Sequence, residues 1–181
     1  MKPHKPRRAS ALRVALLGLL FALEMVLSWL ESLVTPLLGL PPGIKPGLAN
    51  IVVMYALLFL SGRDALVLTV LKSGFVLLAQ GPSAGLLSLS GGLCALAVMW
   101  AVGHIGRPTI YIRSVCGAIF HNVGQLAVVN LMFTRSIYTW YYLPVLLVSG
   151  AVMGGVTAVS LHALMPALAG LQKKIIDKNS Q

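Results

Sequence analysis

The sequence predicts an all-α integral membrane protein of six transmembrane helices with both termini cytoplasmic. Three observations carry that expectation. Of its 181 residues, 57% are hydrophobic and 10% charged, whereas soluble domains carry about 25% charged residues. Mean hydropathy is +0.88, which places the chain in a bilayer. Apart from Lys72, its lysines and arginines gather at the ends of apolar runs, where they set orientation, and do not form a stripe along one face.

The apolar runs fall at about 11–31, 47–61, 64–80, 86–103, 114–134 and 142–168, and about 20 residues at 1.5 Å rise cross the roughly 30 Å hydrocarbon layer. The first run follows basic residues, as in a signal peptide, but it is too long for one and no small-residue cleavage pattern follows it. Within it Ala11 and Ala15, then Gly18 and Ala22, place a small residue every four positions. That spacing lets helices approach closely, either inside the bundle or on another membrane protein. Glu24 and Glu31 share a face of the same run.

Pro41-Pro42-Gly43-Ile44-Lys45-Pro46-Gly47-Leu48-Ala49-Asn50 then forms a stiff, shaped connection. Lys45 at its centre is either a solvated loop lysine or a cation that meets an anionic ligand. Asn50 opens the second run, where an asparagine caps a helix or reaches a ligand. Ser61-Gly62-Arg63-Asp64 turns the chain into the third run, whose midpoint carries Lys72. An intramembrane ion is a functional candidate; a carboxylate at Glu24 and the ammonium of Lys72 at comparable depth form, alternatively, a structural pair.

Gly81-Pro82-Ser83-Ala84-Gly85 breaks the chain again, and Ser88-Leu89-Ser90-Gly91-Gly92 supplies hydroxyls beside residues that admit close approach. In the fifth run His121, Asn122 and Gln125 stand at helical spacing and form one polar stripe, with Asn130 further along. Hydrocarbon does not accept such groups without partners, so the stripe faces a bundle interior, a cavity or a ligand. Trp140, Tyr141 and Tyr142, at the start of the sixth run, form an interfacial belt or, alternatively, a ligand cage, with Pro144 in the first turn of that run.

Six spans put both termini on one side, which then holds eleven lysines and arginines against two, Lys45 and Arg135, on the other. The positive-inside rule makes the richer side cytoplasmic, so loops 32–46, 81–85 and 135–141 face outward. The expected organisation is a basic N-terminal segment at 1–10, a six-helix domain at 11–170 and a basic tail at 171–181.

Several function classes fall away. The net charge of +10 has no aromatic-interleaved basic face to suit nucleic acid. Cys94 and Cys116 differ in depth by roughly 10–15 Å on helical rise, too far to share one redox cluster, and no metal or cofactor is expected. The sequence holds no phosphate loop of the Gly-x-x-x-x-Gly-Lys-Ser/Thr type.

Glu31 followed by Pro36, Pro-Gly-Ile-Lys-Pro-Gly-Leu-Ala-Asn at 42–50, Ser-Leu-Ser-Gly-Gly at 88–92, His-Asn-Val-Gly-Gln at 121–125 and Tyr-Leu-Pro at 142–144 together resemble the Gx transporter family. That family is also labelled heptaprenyl diphosphate synthase component I, and it resembles the substrate-binding S components of energy-coupling-factor transporters. The resemblance runs from about residue 11 to 168. It implies a six-helix S-component fold with an outward pocket, and a docking face at Ala11 and Ala15 for a transmembrane T subunit that works with two ATPases. The family pattern has an arginine near Lys72; a lysine keeps the charge but not the planar fork.

The expected function is therefore that of a membrane-embedded, non-enzymatic subunit that binds a small polar or anionic solute through Lys45, Asn50, Ser88, His121, Asn122, Gln125 and Asn130, for ATP-driven uptake. The alternatives are an accessory membrane subunit in polyprenyl diphosphate and quinone metabolism, or a membrane subunit of an electron-transfer complex. Prenyl transfer by this chain alone is disfavoured. Such chemistry needs aspartate clusters that hold Mg²⁺ on diphosphate, and the two aspartates, Asp64 and Asp177, are far apart.

Overall fold

Proline, glycine and hydroxyl side chains decide where the helices begin and end. A computed structural model describes residues 6–38, 47–106 and 108–180. Helix α1 (Pro6–Val34) tightens into a 3₁₀ turn at Thr35–Leu38. Helices α2 (Asn50–Phe59) and α3 (Gly62–Gln80) are joined by Ser61, whose hydroxyl accepts the Asp64 N–H at 3.2 Å and caps α3. Gly81, at φ 96°, ends α3 and Pro82 starts α4 (Pro82–His104) at once. The expected break at 81–85 thus shrinks to one left-handed glycine, because proline suits the first helical position and residues 83–85 continue the turn.

Thr109 caps α5 (Ile110–Val128), which passes into a π-helical stretch, Val129–Thr134, closed by Arg135 at φ 45°. A 3₁₀ segment, Ile137–Tyr142, leads into α6 (Leu143–Ser180). The described residues contain no strand.

Among the described residues four stretches are long and apolar enough to cross a membrane: Arg13–Leu37, Pro82–His104, Ile110–Thr134 and Ile137–Ala163. The expected second span is shorter than a crossing requires. The ten residues of α2 rise about 15 Å, half the hydrocarbon layer. Asn50 to Ala56 are all buried, so α2 is a core helix wrapped by its neighbours. Helix α3 has 19 residues, but Arg63, Asp64, Lys72 and Gln80 interrupt its apolar character.

The main core joins Leu20 of α1, Val52 to Ala56 of α2, Leu68 of α3, Met99 of α4 and Leu161 of α6. Leu16, Leu57 and Ile110 pack against it, which gathers the start of α1, the end of α2, the start of α5 and the later turns of α6 at one end. At that end Arg13 donates to both Asp64 carboxylate oxygens, at 2.8 and 2.6 Å, and ties α1 to α3. Helix α6 lies close on α5 because Gly150 and Gly154 face bare backbone: a Cβ on Gly154 would stand 2.6 Å from the Val115 Cα. Large apolar side chains such as Leu78, Ile137, Tyr138 and Val148 cover the exterior. Only a bilayer or a partner makes so apolar a surface favourable.

Candidate functional site

One face of α1 and of the 3₁₀ turn that continues it carries Glu24, Ser28, Glu31 and Thr35, all buried and spaced at four, three and four residues, so they line a single helix face. Helix α3 sets Lys72 and Ser73 opposite, α4 brings Ser88, and α5 brings His121 and Gln125. Ser28, Glu31, Lys72, Ala84, Ser88, His121 and Gln125 enclose one cavity. The space open to the centre of a water-sized sphere is about 10 Å³, enough for about one water molecule.

Lys72 Nζ stands 3.7 Å from Glu24 Oε1, with both side chains buried. The separation is that of an ion pair without a hydrogen bond, and neither Glu24 oxygen has a hydrogen-bond partner. Ser73 Oγ donates to the Thr69 carbonyl at 2.8 Å and reaches Ser88 Oγ at 3.4 Å, which joins α3 to α4. The Gln125 amide nitrogen donates to His121 Nε2 at 3.0 Å. Gly91 of α4 makes room for this pair, since a Cβ there would meet the His121 ring at 2.8 Å and Gln125 Cγ at 2.9 Å.

The segment before α2 closes over this arrangement. The Ala49 N–H donates to Glu31 Oε1 at 3.4 Å. Gly47, at φ 95°, brings its backbone to the Asn50 amide and the His121 ring, where a Cβ would be 3.0 and 3.3 Å away. Asn50 does not cap α2: Ala49 holds that position, and the Asn50 side chain, 4% exposed, has no hydrogen-bond partner among the described residues at either polar atom.

The structure therefore brings together Lys72, Ser88, His121 and Gln125, with Glu24 behind Lys72 and Asn50 beside His121. It separates Asn122 from the expected stripe. One position further round α5, Asn122 turns to α6 and donates to the Leu146 carbonyl at 2.8 Å and to Ser149 Oγ at 3.2 Å. Asn130 lies in the π-helical stretch, outside the cavity lining. Lys45 lies outside the described residues. Ala11 and Ala15 are exposed, so the small-residue face of α1 is not spent on packing within the chain. Ser28 went unremarked in the sequence; its signal was its place one turn from Glu24 and just short of one turn from Glu31.

Among the described residues no three His, Cys, Asp or Glu side chains gather as a metal site. What the cluster can do chemically is hold a hydrogen-bonding group of about water size between an ammonium, a carboxylate, a hydroxyl and an imidazole–amide pair. No curated protein and no solved structure matches the chain. The family model described as heptaprenyl diphosphate synthase component I matches residues 20–164, from Leu20 of the α1 core to just past Leu161 of the α6 core, and the chain belongs to that family.

Proposed function

We propose that this chain is a non-catalytic, membrane-embedded subunit that serves polyprenyl diphosphate synthesis, with six helices in the bilayer and both termini in the cytoplasm. The observation that carries the reading is the family match across residues 20–164 on an all-helical chain with an apolar exterior. Catalysis falls to a partner. Of the chain's two aspartates, Asp64 is already engaged by Arg13 and Ser61, so it does not supply the paired carboxylates that hold Mg²⁺ on a diphosphate. The buried cluster is too small for a diphosphate group as it stands; in this reading it ties α1, α3, α4 and α5 together.

Deleting the chain in its host and measuring the side-chain length of isoprenoid quinones tests the proposal. Shortened or depleted quinones are expected, with recovery when the chain is restored. Unchanged quinones would refute it.

A second reading is favoured by Asn50, whose amide is buried beside His121 with no hydrogen-bond partner among the described residues. In that reading the chain is an S-component-like solute-binding subunit that works with a T subunit and two ATPases. The cavity then has to widen before it admits anything larger than water. Loss of uptake of one solute in the same deletion strain, with normal quinones, would favour it over the first.

A further inference from the structure

At the end of the bundle where α4 stops and α5 starts, Arg113 is half-buried with most of its donors unspent. Its Nη2 reaches the Gly103 carbonyl only at 3.4 Å, and its Nε is buried without a hydrogen-bond partner among the described residues. A guanidinium presents five N–H donors in a planar fork. Gly103 is what lets the fork lie against α4, since a Cβ there would stand 2.9 Å from Nη2.

One residue on, His104 is exposed. Its Nδ1 donates to the Trp100 carbonyl at 2.8 Å, and the two rings lie 4.3 Å apart. Trp100 itself is 56% exposed, and Tyr111 and Ile112, next to Arg113 in sequence, are about half exposed. A cationic fork and an outward imidazole edge thus border exposed aromatic and aliphatic surface. An amphiphile with an anionic head and an apolar tail has the complementary form.

Resting on the synthase reading, we propose that this corner binds the diphosphate head of a prenyl diphosphate, with its tail lying in the bilayer along Trp100 and Ile112. Arg113 takes two head-group oxygens through its fork, and His104 adds a donor when protonated. The same phosphate chemistry occurs in an anionic phospholipid and in free pyrophosphate, so the test separates the three.

The full chain in phosphatidylcholine nanodiscs would be titrated with labelled farnesyl diphosphate and then challenged with farnesol, phosphatidylglycerol or inorganic pyrophosphate. Saturable binding is expected that farnesol and phosphatidylglycerol fail to displace, and that pyrophosphate displaces only at higher concentration. Arg113→Gln should weaken it at least about tenfold, the loss of a bidentate charge-assisted contact. Gly103→Ala keeps every charge but displaces the fork, and should weaken it as well; Arg135→Gln should not. Thermal melts identify any variant that fails to fold, in which case Arg113→Lys, which keeps the charge and removes the fork, takes its place and should also bind more weakly.

Full-strength binding by Arg113→Gln, or displacement by phosphatidylglycerol at equal concentration, overturns the site. Absence of binding to the unaltered chain also overturns it, while the synthase reading is judged separately by the quinone measurement.

Discussion

Lys72 Nζ and Glu24 Oε1 lie 3.7 Å apart, with side chains 4% and 0% exposed, so α1 and α3 are held together by opposite charges sealed from water. The pair is matched in charge but loosely bonded, because neither Glu24 oxygen receives a hydrogen bond.

Removing one member should therefore cost more than removing both. Glu24→Met or Lys72→Met alone leaves a buried charge without its counter-ion and should destabilise the protein by about 3–5 kcal/mol. Joint replacement of both by Met should recover most of that loss. Thermal unfolding in detergent of the two single variants and the double variant forms the cycle that measures it.

Adjacent glycines in α6 should respond in opposite ways. A Cβ on Gly154 meets the Val115 Cα at 2.6 Å and the Ser114 carbonyl at 3.0 Å, whereas one on Gly155 meets nothing within 4 Å. Gly154→Ala should cost about 1–3 kcal/mol through forced separation of α5 and α6. Gly155→Ala should be neutral, or stabilising by up to about 1 kcal/mol through helix propensity. Melting temperatures of the two variants decide it.

Asn122 should behave as a structural tie. Asn122→Leu removes one of the two side-chain donors to the Leu146 carbonyl, which Ser149 Oγ still reaches at 3.1 Å, and should cost about 0.5–1.5 kcal/mol. Gln125→Leu should instead act on the cavity, by removing the partner of His121 Nε2. Comparing melts with histidine chemical shifts separates the roles: the His121 resonance should move in the second variant and hold in the first.

Much of the helical order was legible in the sequence because glycine, proline and serine mark its boundaries. Ser61 and Gly81 stand at helix junctions for reasons any sequence reader can state. The second run, 47–61, was already short in the sequence; what was hidden is its start, since Gly47 to Ala49 are as apolar as a helix start yet form a turn tied to Glu31, and α2 begins only at Asn50. The polar cluster was half legible. Helical spacing put His121 with Gln125, but it also put Asn122 with them, and only the position of α6 shows that Asn122 faces the Leu146 carbonyl. The Glu24–Lys72 pair was visible as an equality of depth, which sequence alone does not turn into a contact.

The most direct test of the central claim is copurification of the chain from its own membranes under mild detergent, with prenyltransferase activity measured across the eluted fractions. The account predicts that a soluble prenyl diphosphate synthase subunit and its product-forming activity coelute with the chain, while the chain purified alone forms no product. Coelution of a T subunit and ATPases with no prenyltransferase activity in any fraction would contradict it.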